Sequence, residues 1–185
     1  VTLAKAESVE AHGVAALGAM SMSAPKATAV TIKAGSIAGT VTVSANLAAI
    51  TLHAASSAGL TQIHGASVSA DLLTVITNGL TVSATTFTAE TYKTGTGTMT
   101  LVSVATVAFP AMTTITGSFT GASVTAFTAP KLALGTGTNV IDLKAGASVS
   151  VKTIGHLKTL TDSNTIASLT VAAQANDLIL SPMVK

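Results

Sequence analysis

A five-residue pattern returns about every 20 residues along the chain, and that period limits the fold more than any other feature. The pattern is Ser/Thr, apolar, Ser/Thr, Ala or another apolar residue, then a polar residue or Pro. Its clearest copies are Ser21-Met22-Ser23-Ala24-Pro25, Thr42-Val43-Ser44-Ala45-Asn46, Ser67-Val68-Ser69-Ala70-Asp71, Thr86-Phe87-Thr88-Ala89-Glu90, Ala126-Phe127-Thr128-Ala129-Pro130 and Ser148-Val149-Ser150-Val151-Lys152. Looser copies are Thr106-Val107-Ala108-Phe109-Pro110, Ser168-Leu169-Thr170-Val171-Ala172 and, at the start, Thr2-Leu3-Ala4-Lys5-Ala6. From Met22 the apolar anchor recurs after 21, 25, 19, 20, 20, 22 and 20 residues. A fixed period of this length is the mark of a stacked repeat architecture. The 25-residue step between Val43 and Val68 reads as a loop inserted into one coil.

Within each copy the alternation has period two, the strand period. One coil of this size buries nothing alone, but coils stacked at about 4.8 Å pair backbone to backbone around a continuous narrow core. The prediction is an all-β, single-stranded parallel β-solenoid of about nine coils of roughly 20 residues, one domain over residues 1–185. Met22, Val43, Val68, Phe87, Val107, Phe127, Val149 and Leu169 are expected to form one internal stack. Ala24, Ala45, Ala70, Ala89 and Ala129 are expected to form a thinner one beside it. A second strand per coil is expected at Leu80-Thr81-Val82, Met99-Thr100-Leu101-Val102 and Val140-Ile141-Asp142-Leu143. Residues 4–20 are Ala-rich with Glu7 and Glu10 near their start, which allows a short N-terminal capping helix; the alternative is a first, irregular coil.

The chain carries 9 basic residues, all Lys, against 7 acids, and it has no Cys and no Trp. The lysines are scattered rather than clustered on one face, and Arg, the usual bidentate phosphate ligand, is absent, so nucleic acid is not an expected partner. Without Cys there are no disulfides and no thiolate metal sites. No apolar run reaches the roughly 18 residues of a membrane span, and no secretory leader is legible ahead of Val1.

Residues 109–118 (Phe-Pro-Ala-Met-Thr-Thr-Ile-Thr-Gly-Ser) and residues 127–132 (Phe-Thr-Ala-Pro-Lys-Leu) resemble the repeats of receptor L-domain or leucine-rich-repeat-like surface proteins. The resemblance covers about half the chain, and the regular Asn and Leu ladder positions and the cysteine caps of that family are missing here. It implies a right-handed solenoid and a role in surface binding.

Few residues suggest chemistry. His12, His53, His64 and His156 show no metal-ligand spacing, although His53 and His64 share the longest coil; they read as corner or surface histidines. Asp71 and Glu90 occupy equivalent positions in successive copies, which would set two carboxylates about 5 Å apart; solvated corner charges are the expectation. Thr94-Gly95-Thr96-Gly97-Thr98 and the Gly-Thr-Gly-Thr run at 135–138 lack the Gly-Lys-Ser/Thr ending of a phosphate loop and read as turns. No catalytic residue, cofactor or metal is expected.

The candidate interaction face consists of two hydroxyl columns. One is Ser21, Thr42, Ser67, Thr86, Thr106, Ser148 and Ser168; the other is Ser23, Ser44, Ser69, Thr88, Thr128, Ser150 and Thr170. The functional expectation is a non-enzymatic structural subunit of an extracellular or virion-surface assembly such as a filament, fibre or surface layer, forming a homo-oligomer or polymer. The alternative is a surface-binding module at the cell surface, an adhesin for glycan or an ice-binding β-solenoid. The segment 178–182, ending on Pro182, reads as a cap or an exchanged strand.

Overall fold

The computed structural model describes residues 1–12, 15–134, 141–143, 147–154, 160–161 and 168–171. They form an all-β solenoid of about seven turns, in which every strand pairing is parallel. The motif count predicted about nine coils; its last copy falls on Ser168–Val171, at the limit of the described residues. No helix occurs among the described residues. The stretch that allowed a capping helix instead holds the strands Ser8–His12 and Ala16–Leu17. Val9 there is drawn into the ladder by pairing with Val30, so neighbour pairing overrides the helical propensity of the alanines.

Each turn visits three faces. The first face is built from Met20–Ser23, the start of Val41–His53, the start of Leu60–Ser69, Gly79–Ser83, Thr98–Val102, Phe119–Gly121, Ile141–Leu143 and Leu160–Thr161. The second takes Ser8–His12, Ala29–Lys33, the ends of the two long strands, Thr86–Thr88, Thr106–Ala108, the start of Ala126–Leu134, the start of Ser148–Ile154 and Ser168–Val171. The third is made of two-residue strands: Ala16–Leu17, Ser36–Ile37, Ser56–Ser57, Val75–Ile76, Thr94–Gly95 and Thr114–Ile115. Gly79–Ser83, Thr98–Val102 and Ile141–Leu143 bear out the predicted second strand at those positions.

The predicted internal stack is two stacks. Met22 and Val43 lie on the first face, where Val43 is in register with Ile63, 20 residues on. Val68 lies on the second face, in register with Ile50, 18 residues before it, and with Phe87. The 25-residue step is therefore no insertion; it is a change of face. The recurring motif encodes a strand followed by a β-turn, and the turn moves from one corner to the next. In the first turns it follows the first face, where the Ala6 and Ala27 N–H groups donate to the Leu3 and Ala24 carbonyls at 3.3 and 3.1 Å. Later it follows the second face, where Leu73, Tyr92 and Met112 donate to Ala70, Ala89 and Phe109 at 2.9, 3.2 and 3.2 Å. Between the two regimes the register shifts between Ala45 and Ala49 against the next coil, and the first corner becomes a continuous bend within Leu60–Ser69. The predicted Ala column is split in the same way, with Ala24 and Ala45 at one corner and Ala70, Ala89 and Ala129 at the other, all buried.

The second-face ladder is interrupted once. The corner ahead of Thr106–Ala108 is one residue longer than that ahead of Thr86–Thr88, and its Ser103 takes a left-handed φ of 70°. Thr106–Ala108 then begins a separate four-stranded sheet.

Aliphatic side chains (Ala, Val, Ile and Leu) fill most of the core, and all five Phe and Tyr rings gather in the middle of the stack. Phe109 meets Phe87, Tyr92, Phe119 and Phe127 edge-to-face at centroid distances of 6.3, 5.5, 6.1 and 5.9 Å, and Phe119 meets Phe127 at 5.1 Å. Such pairs contribute about 0.5–1.5 kcal/mol each beyond the area they bury. Burial pushes the Tyr92 hydroxyl up from its ordinary pKa. A Cβ at Gly95 would collide with that hydroxyl, so the glycine makes room for the one large polar ring.

Where the third face meets the first, Gly18, Gly39, Gly59, Asn78, Gly97 and Gly117 follow one another up the stack. Here the Ile37 carbonyl accepts from both Ala58 and Gly59, and the Gly95 carbonyl from both Thr116 and Gly117, which draws successive coils close. A Cβ on Gly59 would run into the Gly39 carbonyl, and one on Gly117 into the Gly97 carbonyl, whereas one on Gly18 would meet nothing within 4 Å. Gly59→Ala and Gly117→Ala are each expected to cost about 1–3 kcal/mol, the range for overpacking. Gly18→Ala should stay within about 0.5 kcal/mol of the parent. Urea-unfolding midpoints compare the three, and equal midpoints would remove the close-approach explanation.

Candidate interaction faces

The fourteen hydroxyl residues singled out from sequence do not share one face. Ser21, Ser23, Thr42 and Ser44 stand on the first face, in register with one another. Ser67, Ser69, Thr86, Thr88, Thr106, Thr128, Ser148, Ser150, Ser168 and Thr170 hold second-face register positions. The physical reason is the migrating turn, which puts the same local motif on a different wall. Sequence reasoning missed Thr31 and Thr51, which continue the second-face column below Ser69. It also missed Thr81, Thr100 and Thr120, which are in register with Thr42 through Gln62 on the first.

The third face was not anticipated at all. In the run Thr94–Thr98, read as a turn, Thr94–Gly95 is a strand, the bend comes at Gly97 and Thr98 opens the next strand; Gly95 is buried and Thr94 and Thr96 face outward. Thr114 and Thr116 repeat the arrangement around buried Ile115, and Val75 and Thr77 around buried Ile76. Ser36 with Ala38 and Ser56 with Ala58 extend it toward the N-terminus. The signal was present in the Thr-x-Thr pairs at 94–96 and 114–116, spaced by one coil.

Many threonines bind the neighbouring coil rather than solvent. Thr77, Thr96 and Thr116 hydroxyls donate to the Ser57, Ile76 and Gly95 carbonyls at 3.2, 3.3 and 3.4 Å. Thr74 and Thr113 donate to Ala55 and Lys93 at 2.9 and 3.3 Å. At the corner of the first and second faces, Thr28, Thr85 and Thr125 do the same to Glu7, Ala66 and Ala105 at 3.2, 2.6 and 3.1 Å. Each neutral bond of this kind contributes about 1 kcal/mol at most sites. One hydroxyl pair lies inside the core: Ser57 and Thr61 face each other at 3.0 Å, and Ser57 donates to the Gly59 carbonyl at 3.1 Å.

Among the described residues, the Asp71/Glu90 and His53/His64 pairs singled out from sequence do not build a common site. Asp71 and Glu90 do occupy successive turns, but the Asp71 carboxylate accepts from the Ser69 hydroxyl at 2.7 Å and from the Glu90 backbone N–H at 3.4 Å, so it braces a corner. His53 lies on the second face beside Lys33, and His64 on the first beside Ser44 and Ser83, so the longest coil does not bring them together. His156, the run 135–138 and the segment 178–182 lie outside the described residues. Among the described residues there is no group of three or more His, Asp or Glu able to hold a metal, and no helix long and apolar enough to cross a membrane. An open hollow of about 470 Å³ is lined by Lys5, Glu7, Lys26 and Thr28. Glu10 accepts from His12 and from Lys33, each at 3.2 Å, and these bonds, with the Lys33 charge, hold its carboxyl below the ordinary glutamate range.

No protein-family model, curated protein or solved structure matches the chain.

Ser57→Ala alone should lower stability by about 1–3 kcal/mol, because it strands the Thr61 hydroxyl in the core. Adding Thr61→Val removes the stranded group, and the double variant is expected to be less unstable than the sum of the singles; additivity in the denaturant cycle would count against the pair. Glu10 has a depressed folded-state pKa, so its contribution is present above the unfolded value and is lost as pH falls through the folded one. An NMR titration of its carboxyl should show that low midpoint, with His12→Ala moving it upward; an unmoved midpoint refutes the assignment.

Proposed function

We propose that the chain is a non-enzymatic structural subunit that assembles with copies of itself, in an extracellular, cell-surface or virion setting. The observation that carries this reading is the open first coil. Ser8–His12 and Ala16–Leu17 are edge strands of their sheets, and Leu3, Val9, Leu17 and Met20 pack on the core only half-buried. Unpaired strand edges beside apolar side chains are a template for another coil. Residues 34–70 contain no Lys, Arg, Asp or Glu, so little charge opposes contact between the walls of neighbouring rods. The likeness to receptor L-domain repeats fits a surface setting, and the nine coils of the motif count would make a longer rod of the same kind.

Electron microscopy and light scattering of concentrated protein should show ordered assemblies, and Val9→Lys, which places a charge in the open coil, should reduce them to single rods. A parent protein that stays monomeric at high concentration sinks this reading.

A second reading, a surface-binding module, is favoured by the clamped threonines of the third face. It is tested by retention on immobilised polysaccharides and on ice.

A further inference from the structure

We propose that the third face is a recognition surface for an ordered water lattice, so that the chain binds ice through it. This rests on the second reading above and names both the face and the partner.

The first support is order. Thr94 and Thr114 are in register with each other and with Val75, Ser56 and Ser36. Thr77, Thr96 and Thr116 form the column two residues on, each hydroxyl tied to the coil before it. The tie fixes the side-chain rotamer, so methyl and oxygen recur at the same place on these three successive rungs, with Ala38 and Ala58 before them in the column. Side chains already ordered in the free protein lose little entropy on contact. Thr94 and Thr114 hydroxyls have no protein partner among the described residues, and both remain able to donate and accept. On the Thr94 and Thr114 rungs a locked threonine thus stands beside a hydrogen-bonding one, and Ser36 and Ser56 carry the open column's hydroxyls on earlier rungs. Rungs repeat at about 4.8 Å along the rod, and columns two residues apart stand about 6.7 Å across it. Those repeats are of the size of the oxygen–oxygen repeats of hexagonal ice.

The second support is what the face rejects. Lys93 is the one charged residue on it among the described residues. Stacking of sugars on phenylalanine or tyrosine rings is closed to this face, because all four Phe and Tyr92 are buried. A second copy is also a poor fit. Six rungs span about 24 Å and three residues of width about 10 Å, roughly 240 Å². A stable dimer needs about 800 Å² per partner. A lattice needs only periodic contact with an extended crystal plane.

The test is the shape and the freezing hysteresis of single ice crystals grown in solutions of the full chain. The parent should facet the crystals and hold their growth below the melting point. Thr94→Lys puts a hydrated charge among the threonines of the face, one rung from its end, without touching a clamp, and it should abolish both effects while the far-UV spectrum and melting curve stay as in the parent. Thr98→Lys, on the first face, should leave both effects intact. Round crystals with the parent overturn the proposal. So does loss on Thr88→Lys with retention on Thr94→Lys, which moves binding to the second face, or a dimer that Thr94→Lys dissolves. Retention on a polysaccharide with no effect on ice overturns it too, while leaving the surface-binding reading standing.

Discussion

Stacking at the backbone hydrogen-bond distance governs this molecule. Each residue sits directly above its equivalent in the coil below, so the choice of side chain is made column by column rather than residue by residue. The glycine column shows the limit. Where carbonyls of one coil accept two N–H groups from the next, even a methyl group on Gly59 or Gly117 has no room. The threonine clamps use the same closeness in the other direction, because a hydroxyl reaches a carbonyl one coil away only when the spacing is that short.

The core adapts to a coil that cannot be wide. Alanine at the buried corners Ala24, Ala45, Ala70 and Ala89 takes little of the narrow interior, and the large rings collect at one level, where Phe109 meets four others. Gly95 is the counterpart of that clustering, since the hydroxyl of Tyr92 occupies the space its side chain would have taken. The same economy accounts for Ser57 and Thr61: two hydroxyls replace two apolar groups at neighbouring core positions and satisfy each other there.

The division of hydroxyls into clamped and open ones is what gives the surface a functional reading. A Ser or Thr in an outward column was legible as polar and strand-borne. Whether its oxygen was committed to a neighbouring carbonyl was not, because that depends on which residue of the preceding coil lies beneath it. Thr96 and Thr94 are two residues apart in sequence, yet one is tied to Ile76 and the other is open.

The amino-acid sequence by itself determined that this chain is a stack of strands with a period near 20, that its core is thin, and that its copies of Ser/Thr-apolar-Ser/Thr-Ala end in a corner. Those properties are local: alternation, small side chains and turn residues act within a few positions. Which wall each copy belongs to was decided only by the tertiary structure. A two-residue change at one corner, between Ala45 and Ala49, moves the turn to the next corner and carries Val68, with every later copy, onto another face. The third face, built from strands of two residues, has too short an alternation to be seen in the chain, and it exists because six such strands pair in register.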